Sequence, residues 1–292
     1  MVMSASSLYR YQNNERTVID RAIQNYRSKR KHTVFVEGLS DKDFIKQWSE
    51  SDFIFDGFCG KPLIEAIHSL LTRDRVRGQF KEHMTLIADI DYDISAGLGR
   101  CSGVKYFVVD DGFNHIYNDL DVFLINTRAL NKILVSLRID IDNDHVNKLR
   151  DLLSQATKKF GKYRCAEQAL LKSYNGSILE GLDITPFYDP ITLEVNEELL
   201  RKSIPNWSKS LSIDELIETA DKLEAENPLA WSLTRGHDAT EILASHIKSA
   251  FGKKFVDRTY IERQLKLGCE LYEFNNTGLC KHLVLIGAII LP

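Results

Sequence analysis

Thr33-Val34-Phe35-Val36-Glu37-Gly38-Leu39-Ser40-Asp41 is a short β-branched run that ends in an acid and a glycine. Met84-Thr85-Leu86-Ile87-Ala88-Asp89-Ile90-Asp91-Tyr92-Asp93 is a second apolar run that ends in three alternating acids. Each run has the length and flanks of a buried strand. The residues after the first predict a helix, with Ser40 as its N-cap, Asp43 at its third position, and Phe44, Ile45 and Trp48 on one face.

Working outward, residues 11–31 predict a helix that ends in the basic run Arg27, Lys29, Arg30, Lys31. Phe53-Ile54-Phe55 predicts a further strand, closed by the glycine turn Gly57–Gly60. Pro62 suits the first position of a helix whose apolar stripe is Leu63, Ile64, Ile67, Leu70 and Leu71. Val104–Val109 predicts a last strand. This alternation predicts an α/β fold: an open, largely parallel sheet with flanking helices. From about Asn126 the pattern turns helical, over Asn131–Leu137, Asp144–Phe160, Ala166–Tyr174, Glu197–Lys202, Ser212–Glu226 and Asp238–Phe251. The expected organisation is an N-terminal helical and basic segment (1–31), an α/β domain (32–125) and a mainly helical region packed on it (126–292).

The 292 residues are 43% hydrophobic and 27% charged, which excludes a mostly disordered chain. Lys+Arg 38 against Asp+Glu 41 gives a net charge of -3, so nucleic-acid binding would depend on local patches. Such patches are Arg27–His32, Arg73–Lys81, Lys158–Arg164 and Lys248–Lys254, and the aromatics within them suit stacking on unpaired bases. The five cysteines form no C-x-x-C pair, which points to reduced thiols and a cytoplasmic protein. The polar N-terminus lacks the apolar core of a signal peptide. Leu283–Pro292 is about half of the ~20 residues a membrane span needs, and reads as a final strand or docked tail rather than a membrane contact.

In parallel sheets the functional crevice lies beyond the C-terminal strand ends. Were the chain to stay extended past Ala88, Asp89 and Asp91 would project to one face. With Glu37 beside them, hard oxygen ligands without imidazole or thiolate favour Mg²⁺ or Mn²⁺, and Asp93 extends the set. The plainer reading is a strand-end residue and an acidic loop. Lys61, after a glycine turn and before a helix, suits either a phosphate contact or an ordinary turn residue. No Walker-type sequence is present. In Arg235-Gly236-His237-Asp238, Arg235 can meet phosphoryl charge and His237 can shuttle a proton, while Asp238 reads as a helix N-cap.

Val34–Asp41 resembles the first TOPRIM motif, and Leu86–Asp91 resembles the second. Gly57-Phe58-Cys59-Gly60-Lys61 resembles the glycine-lysine turn of OLD-type TOPRIM nucleases. His115–Leu124 and Arg235–Asp238 look like segments of the compact, AriB-like TOPRIM effectors of PARIS phage-defence operons, although Asp119-Leu120-Asp121 departs from the Asp-x-Glu of that pattern. The resemblance implies a TOPRIM-like sheet and a metal-dependent endonuclease. Glu37 would bind metal or act as general base, and Asp89 and Asp91 would hold Mg²⁺. It implies RNA, with tRNA among the candidates, in preference to DNA, a toxic role in defence, and an ABC-type ATPase as partner; a homodimer stays open. The alternatives are an OLD-type DNA endonuclease and a non-catalytic assembly or sensor subunit.

Overall fold

The computed structural model describes residues 14–49, 52–107, 117–171, 182–204 and 212–291. His115, the start of the helix at 11–13, the strand residues 108–109 and the helix residues 172–174 lie outside the described residues. The chain divides into two units. The first holds the described residues up to Asp89, Arg100–Phe107, and those from Asn275 on. The second holds Ile90–Gly99 and the described residues from Tyr117 to Phe274.

The first unit opens with α1 (Glu15–Lys29), capped by Asn14, whose side chain accepts from the Thr17 N–H. Then come β1 (His32–Val36), α2 (Leu39–Lys46), β2 (Phe53–Gly57), α3 (Lys61–Arg73), β3 (Met84–Ala88) and β4 (Lys105–Tyr106). The strands form an all-parallel sheet in the order β2-β1-β3-β4. Phe35 of β1 and Met84, Leu86 and Ala88 of β3 share a core with Val18, Ile19 and Ile23 of α1 and Ile64 and Ile67 of α3. The alternation along β3 assigns these residues to one face of the sheet. Arg21 of α1 fixes β2 through two 2.6 Å bonds to Asp56.

One local expectation fails, and another is met by one of its two alternatives. The N-cap of α2 is Gly38 rather than Ser40, and Asp41 at the third position accepts the Gly38 N–H at 2.9 Å. The C-terminal tail forms no strand among its described residues. It contributes a helix (Gly278–Leu285) and then docks Ala288 and Ile289, with one antiparallel bridge from Ser49 to Ile289.

His32 makes the first unit sensitive to acid. Its Nε2 lies 2.9 Å from Thr85 Oγ1. Burial, aided by the charges of His83 and His282, lowers its pKa from 6.5 to about 4. The folded chain therefore prefers the neutral ring: this stabilisation is complete above pH 6.5 and is lost as pH falls toward 4. The difference is on the order of 2 kcal/mol after discounting for partial exposure. His32→Asn should flatten the fall in Tm between pH 6.5 and 4.5. An unchanged slope would show that the ring stays solvated.

The second unit is helical. It contains α4 (Leu120–Ile125), α5 (Ala129–Ser136), α6 (Asn143–Leu171), α7 (Glu197–Ser203), α8 (Ile213–Glu226), α9 (Gly236–Phe251) and α10 (Arg258–Gly268). The stretches 144–160 and 166–171 belong to one 29-residue helix rather than two. Gly161 lies inside it, where an added Cβ would stand 1.5 Å from the Leu233 carbonyl oxygen. The glycine lets the 231–234 loop press on the helix backbone. Propensity favours alanine at a helix interior by about 1 kcal/mol. The clash outweighs it, and Gly161→Ala should destabilise by about 2 kcal/mol, lowering Tm by several degrees. A rise in Tm would show that the loop is free to move away. No helix among the described residues is long and apolar enough to cross a membrane.

Candidate functional site

β1 and β3 are parallel neighbours, with Thr33 opposite Met84 and Phe35 opposite Leu86, so their C-terminal ends lie together. Glu37 follows β1 directly and Asp89 follows β3. The Asp89 N–H donates to Glu37 Oε1 at 2.7 Å. On the other side of β1, β2 ends at Gly57, where an added Cβ would stand 2.8 Å from the Val36 carbonyl oxygen. Gly57 has φ +103 and Gly60 φ +77, conformations that glycine adopts without strain. The turn between them docks through Phe58 N–H to Val36 O and Gly60 N–H to Glu37 O, both at 3.0 Å. Gly60 caps α3, so Lys61 is its first residue and Pro62 its second. Lys61 is buried, with Nζ 5.6 Å from the centre of the Tyr106 ring. The sheet edge thus unites Glu37, Asp89 and the lysine-bearing turn.

Asp91 departs from the expected alternation. β3 ends at Ala88, and Asp91 adopts the left-handed region at φ +51 while its N–H donates to Asn118 O at 2.8 Å. A residue turned this way does not follow the two-residue rule of a strand. Asp91 and Asp93 belong to the second unit. There Asp93 is buried and accepts from Gln168 Nε2 at 3.0 Å. The basic run falls at the opposite end of β1 from Glu37, about 16 Å away along a five-residue strand. Arg27 and Lys29 close α1, and Arg30 is its left-handed C-cap. Arg27 stacks over Phe80 and Arg30 over Tyr26, while Lys31 faces Asp52 at 3.6 Å.

In the second unit, α9 starts at Gly236 with Arg235 as N-cap residue. Asp238 is therefore inside the helix and not its cap. It is buried and receives Arg164 Nε and Nη2 at 2.9 and 3.1 Å. The capping carboxylate is Asp119. Its Oδ1 accepts from Val122 N–H at the start of α4, and its Oδ2 accepts from Gly236 N–H at 2.6 Å. Burial and neighbouring Asp121 push Asp119 up to about 7, against these two donors.

His237 stands on α9 beside Asp121 of α4 and Glu262 of α10. Its Nδ1 donates to Glu262 Oε1 at 2.8 Å and lies 3.8 Å from Asp121 Oδ2. The bond to Glu262 holds the imidazole pKa above its ordinary value, with burial opposing. One ligand atom from each of the three residues lies within 4.8 Å of the others. Two carboxylates and one imidazole at this spacing can hold a divalent cation, with a donor set softer than the strand-end acids. Lys266 at 3.4 Å from Asp121 and Arg258 at 3.4 Å from Glu262 also balance the acids directly. Glu262 carries no local signal in the sequence, since its partners are brought to it only by the packing of three helices.

The basic patch Lys158–Arg164 is spent inside the second unit. Lys159 and Lys162 pair with Glu197 and Glu224, and Lys162 also with Asp221. Lys162 is 1% exposed.

The molecule is of the α/β class, an open parallel sheet with acids at adjacent strand ends. Compared with known proteins, the chain matches no family model, no curated protein and no solved structure.

Proposed function

We propose that this chain is a metal-dependent nuclease that hydrolyses nucleic-acid phosphodiesters, with RNA, including tRNA, as the favoured substrate. The observation that carries the reading is the hydrogen bond from Asp89 N–H to Glu37 Oε1, which ties two carboxylate-bearing strand ends together at the C-terminal edge of the sheet. Their oxygen donors fit Mg²⁺ or Mn²⁺, which uses few protein carboxylates and leaves room for phosphate and water. When bound, such a cation polarises a phosphoryl oxygen and lowers the pKa of the attacking water. Glu37 holds the cation or takes the proton of that water. The glycine turn places the N-terminus of α3 on the same edge, where backbone N–H groups can meet a phosphate, with buried Lys61 behind it adding positive charge. Asp91, two residues beyond Asp89, is a further candidate ligand to be judged by its own variant.

The TOPRIM resemblance supports a cytoplasmic effector of phage defence, restrained by an ABC-type ATPase that supplies the nucleotide hydrolysis for which this sequence carries no Walker motif. The test is incubation of the purified chain with total RNA and with supercoiled plasmid, in Mg²⁺, Mn²⁺ or EDTA. RNA cleavage that EDTA stops is the expected result. Cleavage of plasmid alone would transfer the reading to a DNA endonuclease, and no cleavage of either would overturn it.

A further inference from the structure

The first unit has a cavity of about 560 Å³ that runs from the edge of the sheet where β1 and β3 begin toward β4. His32 and Met84, the first residues of β1 and β3, line it, together with Lys105 of β4, which stands opposite Ile87 near the C-terminal end of β3. Lys81 and His282 contribute further cationic or protonatable groups, and Met84, Leu86 and Ile286 provide apolar wall. Among the described lining residues Glu82 is the only carboxylate, and its side chain is 77% exposed and turned to His83 at 3.3 Å. Both imidazoles are held toward the neutral form, so the positive charge of the hollow comes from Lys81 and Lys105, beside apolar surface and within the size range of small-ligand sites. The crowding is visible in the imidazoles. Burial lowers the pKa of both His32 and His282, and neighbouring His83 and His282 lower the first further, as Lys105 does the second.

The surface beside the hollow continues the same chemistry. His83, next to the lining residue Glu82, stacks on Tyr26 with ring centres 3.6 Å apart. Arg30 covers Tyr26, and Arg27 covers Phe80. Cations placed over flat rings, next to a cationic hollow with an apolar wall, match a nucleotide: an anionic phosphate joined to a flat, partly apolar base.

We propose that this cavity binds the phosphate of a nucleotide, either free or as one unit of a nucleic-acid strand. Neither Glu37 nor Asp89 lines the site and it needs no metal, so its test is independent of cleavage.

The full chain in EDTA is titrated with adenosine 5′-monophosphate and with a fluorescein-labelled ten-nucleotide single-stranded RNA. Lys81 and Lys105 are both exposed, so Lys81→Glu/Lys105→Glu should fold with an unchanged Tm. It should weaken binding at least tenfold, and Lys81→Gln/Lys105→Gln should weaken it less. Lys202→Glu/Lys222→Glu makes the same change in net charge on the second unit and should leave binding within about twofold. Loss confined to the monophosphate identifies a free nucleotide as the ligand, and loss of RNA binding identifies a strand. The proposal is overturned if wild type binds neither probe at about 1 mM, or if the two charge-reversed variants lose affinity equally.

Discussion

Glu37→Gln should abolish metal-dependent cleavage, by at least about a hundredfold in kcat/KM, equivalent to about 2.7 kcal/mol of transition-state stabilisation. Glutamine preserves the length of the side chain, and its amide oxygen can still accept the Asp89 N–H that Glu37 receives at 2.7 Å. The junction of β1 and β3 is thus kept, and Tm should fall by no more than a few degrees. The negative charge is lost, and with it the ability to hold a divalent cation firmly or to take a proton from water. Asp89→Asn should behave alike, because its backbone N–H, which makes the structural contact, is untouched. Asp91→Asn separates two cases: a comparable loss makes it a partner of the pair, and normal activity confines the site to Glu37 and Asp89. Full activity in Glu37→Gln at unchanged metal dependence would remove the strand-end acids from the chemistry.

What the sequence discloses follows from how local each determinant is. β1, β2 and β3 are legible because each is a compact apolar run bounded by polar or glycine residues, and the parallel order puts Glu37 and Asp89 at neighbouring ends. Of the expected Val104–Val109 only Lys105–Tyr106 pairs as a strand among the described residues. The turn at Gly57–Gly60 is legible for the same reason, since its left-handed glycines are local necessities. Asp91 is not legible. Its left-handed conformation is tied to a carbonyl at Asn118, far along the chain, and the alternating acids mimic a continuing strand. The cluster around His237 is equally hidden, because Glu262 meets it across 25 residues and Asp121 from still further away. Patches of lysine and arginine mislead most. In Lys158–Arg164 the sequence looks like a nucleic-acid surface, but acids from distant helices consume the charges. The run at Arg27–Lys31 differs, because its arginines lie over aromatic rings of the first unit.

Arg164→Met should destabilise the second unit by about 3–5 kcal/mol, the cost of leaving a buried carboxylate without its counter-charge. The Arg164 and Asp238 side chains are 5% and 8% exposed and meet through two hydrogen bonds, so water cannot replace the guanidinium without opening the packing of α6 on α9. The expected fall in Tm is about 10 °C, given the size of the unit. Asp238→Leu in the Arg164→Met background should recover most of the loss, since a matched apolar pair carries no desolvation penalty. This outcome distinguishes a structural ion pair from a phosphate-binding arginine. If Arg164 served nucleic acid, its replacement would weaken RNA binding with little change in Tm, and the second substitution would restore nothing.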